Sequence, residues 1–181
     1  MGAPALAVPA DGDLIARYLG GEEEAATELV RRHTAALARY LAAQGVPDGE
    51  LEDLTQETFF KAFRALGSYR GGAAFRTWLL AIGGNVVKDR RRRWKRERVL
   101  ALTPDLEDPS GDPAQHAEAR WAADRLEEGI AHLARLQREV FLMRAQQGLE
   151  YGEIAAGLGI SEGAARVHYH HAVKRLKAWI G

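Results

Sequence analysis

The 181-residue chain contains no cysteine, so no disulfide braces it and no thiolate is available to hold a metal. Proline is scarce: there are six, and three of them fall between residues 99 and 118. Elsewhere little interrupts helix formation. Apolar residues make up 46% of the chain, yet no run approaches the roughly 20 needed to span a bilayer. The opening MGAPALAVPADGD lacks the basic segment of a secretory signal, and Leu6 stands where a myristoylation motif needs Ser or Thr. The phosphate-cradling GxxxxGK and the metal-binding HExxH are both missing. Together these absences argue against a secreted, membrane or cofactor-dependent protein and against an enzyme. They fit a protein of the reducing cytoplasm.

Charge is balanced in total, 25 basic against 25 acidic, but distributed in blocks. Residues 1–87 hold 8 Lys+Arg and 11 Asp+Glu, and residues 88–98 hold 8 and 2. Residues 99–118 hold 0 and 5, and residues 119–181 hold 9 and 7. A strongly basic segment beside a strongly acidic one is the pattern of a protein that meets nucleic acid with selected surfaces.

Taken in order, the chain reads as helices throughout. Asp11 to Asp13 offer caps for a helix near Leu14, and Gly20-Gly21 end it. A helix from Glu22 to Ala43 follows, with Ala25, Leu29, His33, Ala36 and Tyr40 at helical spacing. After the turn Gln44–Gly49, a third pattern places Leu51, Leu54, Thr58, Ala62 and Leu66 on one face, with Phe59 and Phe63 at its edge. Its opposite face carries Asp53, Gln56, Glu57, Phe60 and Arg64. A large aromatic among charges marks either a docking patch or a residue packed under a neighbouring loop.

The fourth pattern runs from Phe75 to about Arg93. Phe75, Trp78, Leu79, Ile82 and Val86 share its buried side, while Thr77, Ala81, Gly84, Asn85 and Lys88 lie on the other. Gly83 and Gly84 each cost a helix roughly 1 kcal/mol relative to alanine, which implies close approach of a backbone or a nucleotide. Asn85 can bond a base edge in two directions, and Lys88, Arg90, Arg91, Arg92 and Arg93 suit phosphates. A solvated cationic helix end is the plainer reading of the arginines.

DLTQETFFKAFRAL followed by YRGGAAFRTWLLAIGGNVVKDRRRR resembles region 2 of the bacterial sigma-70 family, in its compact extracytoplasmic-function branch. LIARYLGGEEEAATELVRRH is similar to the start of that region, although Ala26 stands where phenylalanine is common. The resemblance implies a transcription initiation factor. On it, Asp53, Gln56, Glu57 and Phe60, with Arg64 on the same face, match the surface for the coiled coil of the polymerase largest subunit. The loop Ser68 to Ala74 and Asn85 match the segment that captures a flipped minus-ten base. Tyr69, Phe75 or Trp78 would stack on or support that base. Ser68, Tyr69, Arg70, Gly71, Gly72, Phe75, Thr77, Asn85, Lys88, Arg91 and Arg92 make up the implied minus-ten surface.

Residues 99–118 read as an acidic linker, whose Asp105, Glu107, Asp108 and Asp112 would mimic nucleic acid in polymerase channels. Beyond it, Trp121, Leu126, Ile130 and Leu133 pattern one helix, and Leu136, Val140, Phe141 and Met143 another that stops near Gly148. Tyr151 to Leu158, the turn at Gly159, the cap Ser161 and Glu162 to Ile180 then form a helix-turn-helix, with Ala155 and Gly159 small where its helices cross. This segment resembles sigma region 4, which reads the minus-thirty-five element and docks on the polymerase flap. The implied contacts are Arg144, Ser161, Glu162, Gly163, Arg166, Val167, His168, His171 and Lys174. Ala164-Ala165 replace a usual threonine-valine pair, and His168 and His171 stand where arginine is frequent. The three histidines 168, 170 and 171 have no carboxylate or thiolate beside them, which disfavours a metal site.

The expectation is therefore an all-α chain of two small helical domains, 13–98 and 119–181, after a disordered residue 1–12 segment. Its implied partners are core RNA polymerase, promoter DNA and an anti-sigma factor. The alternative is a free-standing helix-turn-helix regulator, which would have no use for DLTQETFF.

Overall fold

The computed structural model describes residues 9–101 and 117–180. Among them are eight α-helices and one 3-10 turn, with no strand. The acidic residues Asp105, Glu107, Asp108 and Asp112 lie outside the described residues.

Helix α1 (Asp11–Leu19) begins earlier than the sequence suggests, because Ala10 is its N-cap and Asp13 accepts a bond from the Ala10 amide at 3.3 Å. Asp11 is not a cap. Its carboxylate lies 3.2 Å from Arg32 and 2.7 Å from His33 Nε2, clasping α1 onto α2 (Glu23–Ala43). The turn between them uses Gly21 at φ 99°, a conformation natural to glycine. On α2 the buried stripe is Ala25, Leu29, His33, Leu37, Tyr40 and Leu41, so Leu37 fills the place expected of Ala36.

Helix α3 (Asp48–Ala65) buries Leu54, Thr58, Phe59 and Ala62 as its spacing requires, and a 3-10 turn at Leu66–Ser68 ends it. Helix α4 (Phe75–Ala101) crosses α2 and α3 and buries Phe75, Leu79, Leu80, Val86 and Val87, a wider stripe than expected. Gly83 belongs to this packing rather than to a nucleotide site. A Cβ there would stand 3.1 Å from Leu37 and 3.3 Å from Leu41. Two members of the basic run also serve the fold. Arg90 pairs with Glu50 at 2.6 Å, and Trp94 Nε1 donates to the same carboxylate at 2.9 Å. Arg91 donates to the Gln44 carbonyl at the end of α2, satisfying one of the acceptors that a helix leaves open.

The second unit comprises α5 (Ala117–His132), α6 (Arg135–Ala145), α7 (Tyr151–Leu158) and α8 (Glu162–Ile180). Helix α8 packs on the other three. Its core holds Ile130, Leu133, Val140, Leu142, Met143, Ile154, Ala165, Ala172 and Leu176. An aromatic seam adds Tyr169, with Phe141 at 6.0 Å and Tyr151 at 5.9 Å between ring centroids. Arg138 is buried and donates to the carbonyls of Ile130 (2.8 Å), Ala131 (2.5 Å) and Leu133 (2.9 Å), fastening the α5–α6 corner.

The two units touch. Helix α7 lies against α4, and α6 meets α2. Gln146 Nε2 donates to the Arg39 carbonyl at 3.2 Å, and Arg76 donates to Gln147 Oε1 at 2.5 Å.

Candidate nucleic-acid and partner interfaces

On α3, the helical period that buries Leu54, Thr58 and Ala62 turns the next residues outward. Phe60 is 61% exposed, with Asp53, Gln56 and Arg64 exposed around it and Glu57 half-buried. The Arg64 guanidinium lies 5.5 Å from the Phe60 ring centroid, and Glu57 pairs with Lys61 at 2.9 Å. The five residues assigned to one face are thus one patch. An exposed ring among engaged charges is suited to a partner that covers the ring and meets its charges.

The loop from the 3-10 turn into α4 is built around Tyr69. Its hydroxyl donates to the Ala73 carbonyl at 2.5 Å, and its ring lies 5.1 Å from Trp78 and 6.2 Å from Phe75. Burial and the nearby Asp11 push the Tyr69 hydroxyl above its ordinary pKa. Ser68, Arg70, Gly71 and Gly72 are exposed, and Gly71 turns at φ 71°. Phe75 is buried against His33, ring centroids 5.2 Å apart. It supports the loop and offers no face for stacking, unlike the half-buried Tyr69 and Trp78.

The outer side of α4 divides. Asn85, Lys88, Arg92, Arg93 and Lys95 are exposed. Thr77, placed on that open side by its spacing, is 0% exposed, because α7 covers it. A Cβ on Gly157 would come within 2.6 Å of Thr77 Cγ2. Gly84 is covered by the Glu139 side chain of α6. Arg91, expected on phosphates, is half-buried with its guanidinium on Gln44, and burial lowers its pKa. Sequence reading did not single out Gly157 or Glu139, because no local period announces a contact between units.

In the second unit, Gly159 takes φ 67° in the turn between α7 and α8, and Ser161 Oγ accepts from the Ala164 amide at 3.1 Å. Ala155 is the small residue at the crossing, whereas Gly159 has open space around it. Helix α8 presents Glu162, Gly163, Arg166, Val167, His171 and Lys174 to solvent. Arg166 pairs with Glu162 and lies 4.8 Å from the Tyr151 ring centroid. Val167 is 53% exposed. His168 is half-buried, with its Nδ1 buried and without a hydrogen-bond partner, whereas His171 is exposed. Arg144 donates to the Leu149 carbonyl at 2.9 Å and to Glu150 at 2.7 Å. It holds the α6–α7 turn through its Nη1, and its side chain is 31% exposed.

Among the described residues no group of three His, Asp or Glu could hold a metal ion, and no helix is long and apolar enough to cross a membrane.

An exposed basic helix face in one unit and an open helix-turn-helix in the other define a bipartite DNA-binding protein. Comparison with known proteins gives the family. The model of Sigma-70 region 2 matches residues 28–97, and that of Sigma-70, region 4 matches residues 123–176. The chain belongs to the sigma-70 family, in its extracytoplasmic-function branch, and is a promoter-directing transcription initiation factor. It is 30% identical to the RNA polymerase sigma factor NccH of Alcaligenes xylosoxydans xylosoxydans over 173 residues, 93% of either chain. It is 32% identical to the ECF RNA polymerase sigma-E factor of Salmonella typhimurium over 166 residues, 86% of either chain. The solved structure of CnrH in complex with the cytosolic domain of CnrY is 29% identical, with a TM-score of 0.70 over 94% of this chain and 96% of that one.

Proposed function

We propose that the Phe60 face binds the coiled coil of the polymerase largest subunit, and that the two DNA-facing surfaces divide the promoter between them. The observation that carries this reading is Phe60 itself, 61% exposed amid Asp53, Gln56, Glu57 and Arg64 on a helix whose other face is core. The Tyr69 loop with Asn85, Lys88 and Arg92 would take the minus-ten element as melted single strand, since Tyr69 and Trp78 offer stacking surface and the cations meet phosphates. Helix α8 would enter the major groove at the minus-thirty-five element with Arg166, Val167, His171 and Lys174 foremost. The polymerase flap would hold the second unit. Binding alone accounts for the proposed steps.

The likeness to CnrH, solved with the cytosolic domain of CnrY, supports a protein partner of the anti-sigma kind that competes for these faces. A site in the cytoplasm, where the polymerase works, follows from the same reading.

The test is run-off transcription by core polymerase with and without the chain on sheared genomic DNA. Discrete transcripts that require the chain support the reading. Their absence, with a folded chain that does not co-elute with core polymerase, rejects it.

A further inference from the structure

Helix α2 carries an imidazole in its buried stripe. His33 stands in register with Leu29 and Leu37, where a leucine would pack without a partner, and burying a polar ring costs stability unless it is hydrogen-bonded. Its partner comes from another helix. His33 Nε2 lies 2.7 Å from Oδ2 of Asp11, the first residue of α1, and because a carboxylate accepts, the ring donates from that nitrogen. A directional bond of this kind fixes the plane of the ring, which apolar packing alone leaves freer. The ring so held meets Phe75 edge to face, with centroids 5.2 Å apart and planes at 65°.

Phe75 is the first residue of α4 and is 2% exposed. Its ring touches both aromatic side chains that offer a stacking face, Tyr69 at 6.2 Å and 89° and Trp78 at 5.9 Å. Tyr69 opens the loop and Phe75 closes it, so one ring fixed from α2 sets where the two ends of the loop meet. Asp11 also acts on the loop directly, through its charge on the Tyr69 hydroxyl.

Resting on the minus-ten reading above, we infer that Asp11 and His33 are positioning residues for base capture: their hydrogen bond fixes the ring that seats Phe75, and Phe75 holds Tyr69 and Trp78 where an unstacked base meets them. Neither residue needs to touch DNA. Helix α1, which precedes the matched residues 28–97, thereby takes part in promoter opening. Arg32 supplies the control. It pairs with Asp11 at 3.2 Å and Glu28 at 2.7 Å and donates to the Pro9 carbonyl at 2.6 Å, partners on or beside α1 and α2 rather than in the loop.

The experiment uses holoenzyme assembled from core polymerase and the full chain, with a dye-labelled non-template strand from a promoter recovered by run-off transcription. Affinity is measured for the intact strand and for strands made abasic at each minus-ten position in turn. The largest ratio marks the captured base and separates its capture from phosphate binding. The unmodified chain should favour the intact strand by about 5- to 150-fold, the worth of one stacked base. Asp11→Ala and His33→Phe should each lower that ratio about fivefold, and together no further than either alone, as coupled residues do. Asp11→Asn, which keeps an acceptor for the ring, should retain most of it. Arg32→Ala should lower the melting temperature and leave the ratio unchanged. Circular dichroism and co-elution with core polymerase check that each variant is folded, and should His33→Phe lose its helices, the comparison of Asp11→Ala with Asp11→Asn decides. Additive losses, an unchanged ratio in Asp11→Ala, or an equal loss in Arg32→Ala overturns the inference. Absence of transcripts, or of any base preference in the unmodified holoenzyme, rejects the minus-ten reading itself, whereas a preference that Asp11→Ala and His33→Phe both keep rejects the inference alone.

Discussion

The Glu139 carboxylate occupies the space that a side chain on Gly84 would need: a Cβ there would stand 2.9 Å from Oε1 and 3.3 Å from Cδ. Burial raises the Glu139 pKa above its ordinary 4.5, with Arg135 and Lys88 opposing. Its neighbours on this face also include the Tyr40 hydroxyl, itself pushed up by burial.

A carboxyl whose pKa is higher in the packed state binds protons there more readily than when exposed. The stability it contributes therefore falls as pH rises from about 4.5 to the raised value, and stays low above it. Glu139→Gln should remove this part of the pH dependence. At pH 7 it should raise the melting temperature, because the amide carries no charge to bury. Calorimetry across pH checks it, and a lowered melting temperature would show that the Arg135 pair outweighs the burial of charge.

Gly83→Ala should destabilise the first unit despite better helix propensity. The new Cβ meets Leu37 at 3.1 Å and Leu41 at 3.3 Å, and both leucines are fully buried. Overpacking of about 1–3 kcal/mol exceeds a propensity gain of about 1 kcal/mol. A urea titration reads the difference, and a stabilised variant would mean that the leucines can move aside.

Arg138→Ala should cost about 3 kcal/mol, since three carbonyls at the α5–α6 corner lose their donor at once. Arg138→Lys should recover little, because one ammonium lacks the fork that reaches all three. Thermal unfolding monitored by circular dichroism measures both, and wild-type stability in Arg138→Ala would remove the structural role.

Arg166→Ala should weaken binding of holoenzyme to a promoter by about 1–3 kcal/mol, or roughly 5- to 150-fold, with loss of discrimination in the minus-thirty-five element. Lys174→Ala, if it meets only phosphate, should weaken all duplexes about equally. Binding to a set of mutated promoter duplexes separates the two, and an Arg166→Ala holoenzyme with unchanged sequence preference would dismiss Arg166 as a base reader.

Much of this was legible from local pattern. Spacing alone put Leu54, Thr58 and Ala62 inside and Phe60 outside, and Gly159 with Ser161 set the turn of the helix-turn-helix within a residue. What escaped were contacts that no period encodes. Arg138 is a charged residue whose partners are backbone carbonyls, and Gly157 is small because another helix crosses it. Thr77 read as open, since a helical wheel shows one helix and not the unit packed on it. The basic run likewise concealed that Arg90 and Arg91 bind Glu50 and the end of α2, while Arg92 and Lys95 are exposed.

The account rests on a division of labour between the Phe60 face and the α4 face, and one pair of variants tests it. Phe60→Ala with Glu57→Ala, and separately Asn85→Ala, are passed with core RNA polymerase over a size-exclusion column and then assayed for promoter opening. The first should lose co-elution. The second should co-elute as the unmodified chain does, yet fail to open the promoter. Loss of both variants at the same step, or co-elution of the Phe60→Ala Glu57→Ala chain at full stoichiometry, would contradict the assignment.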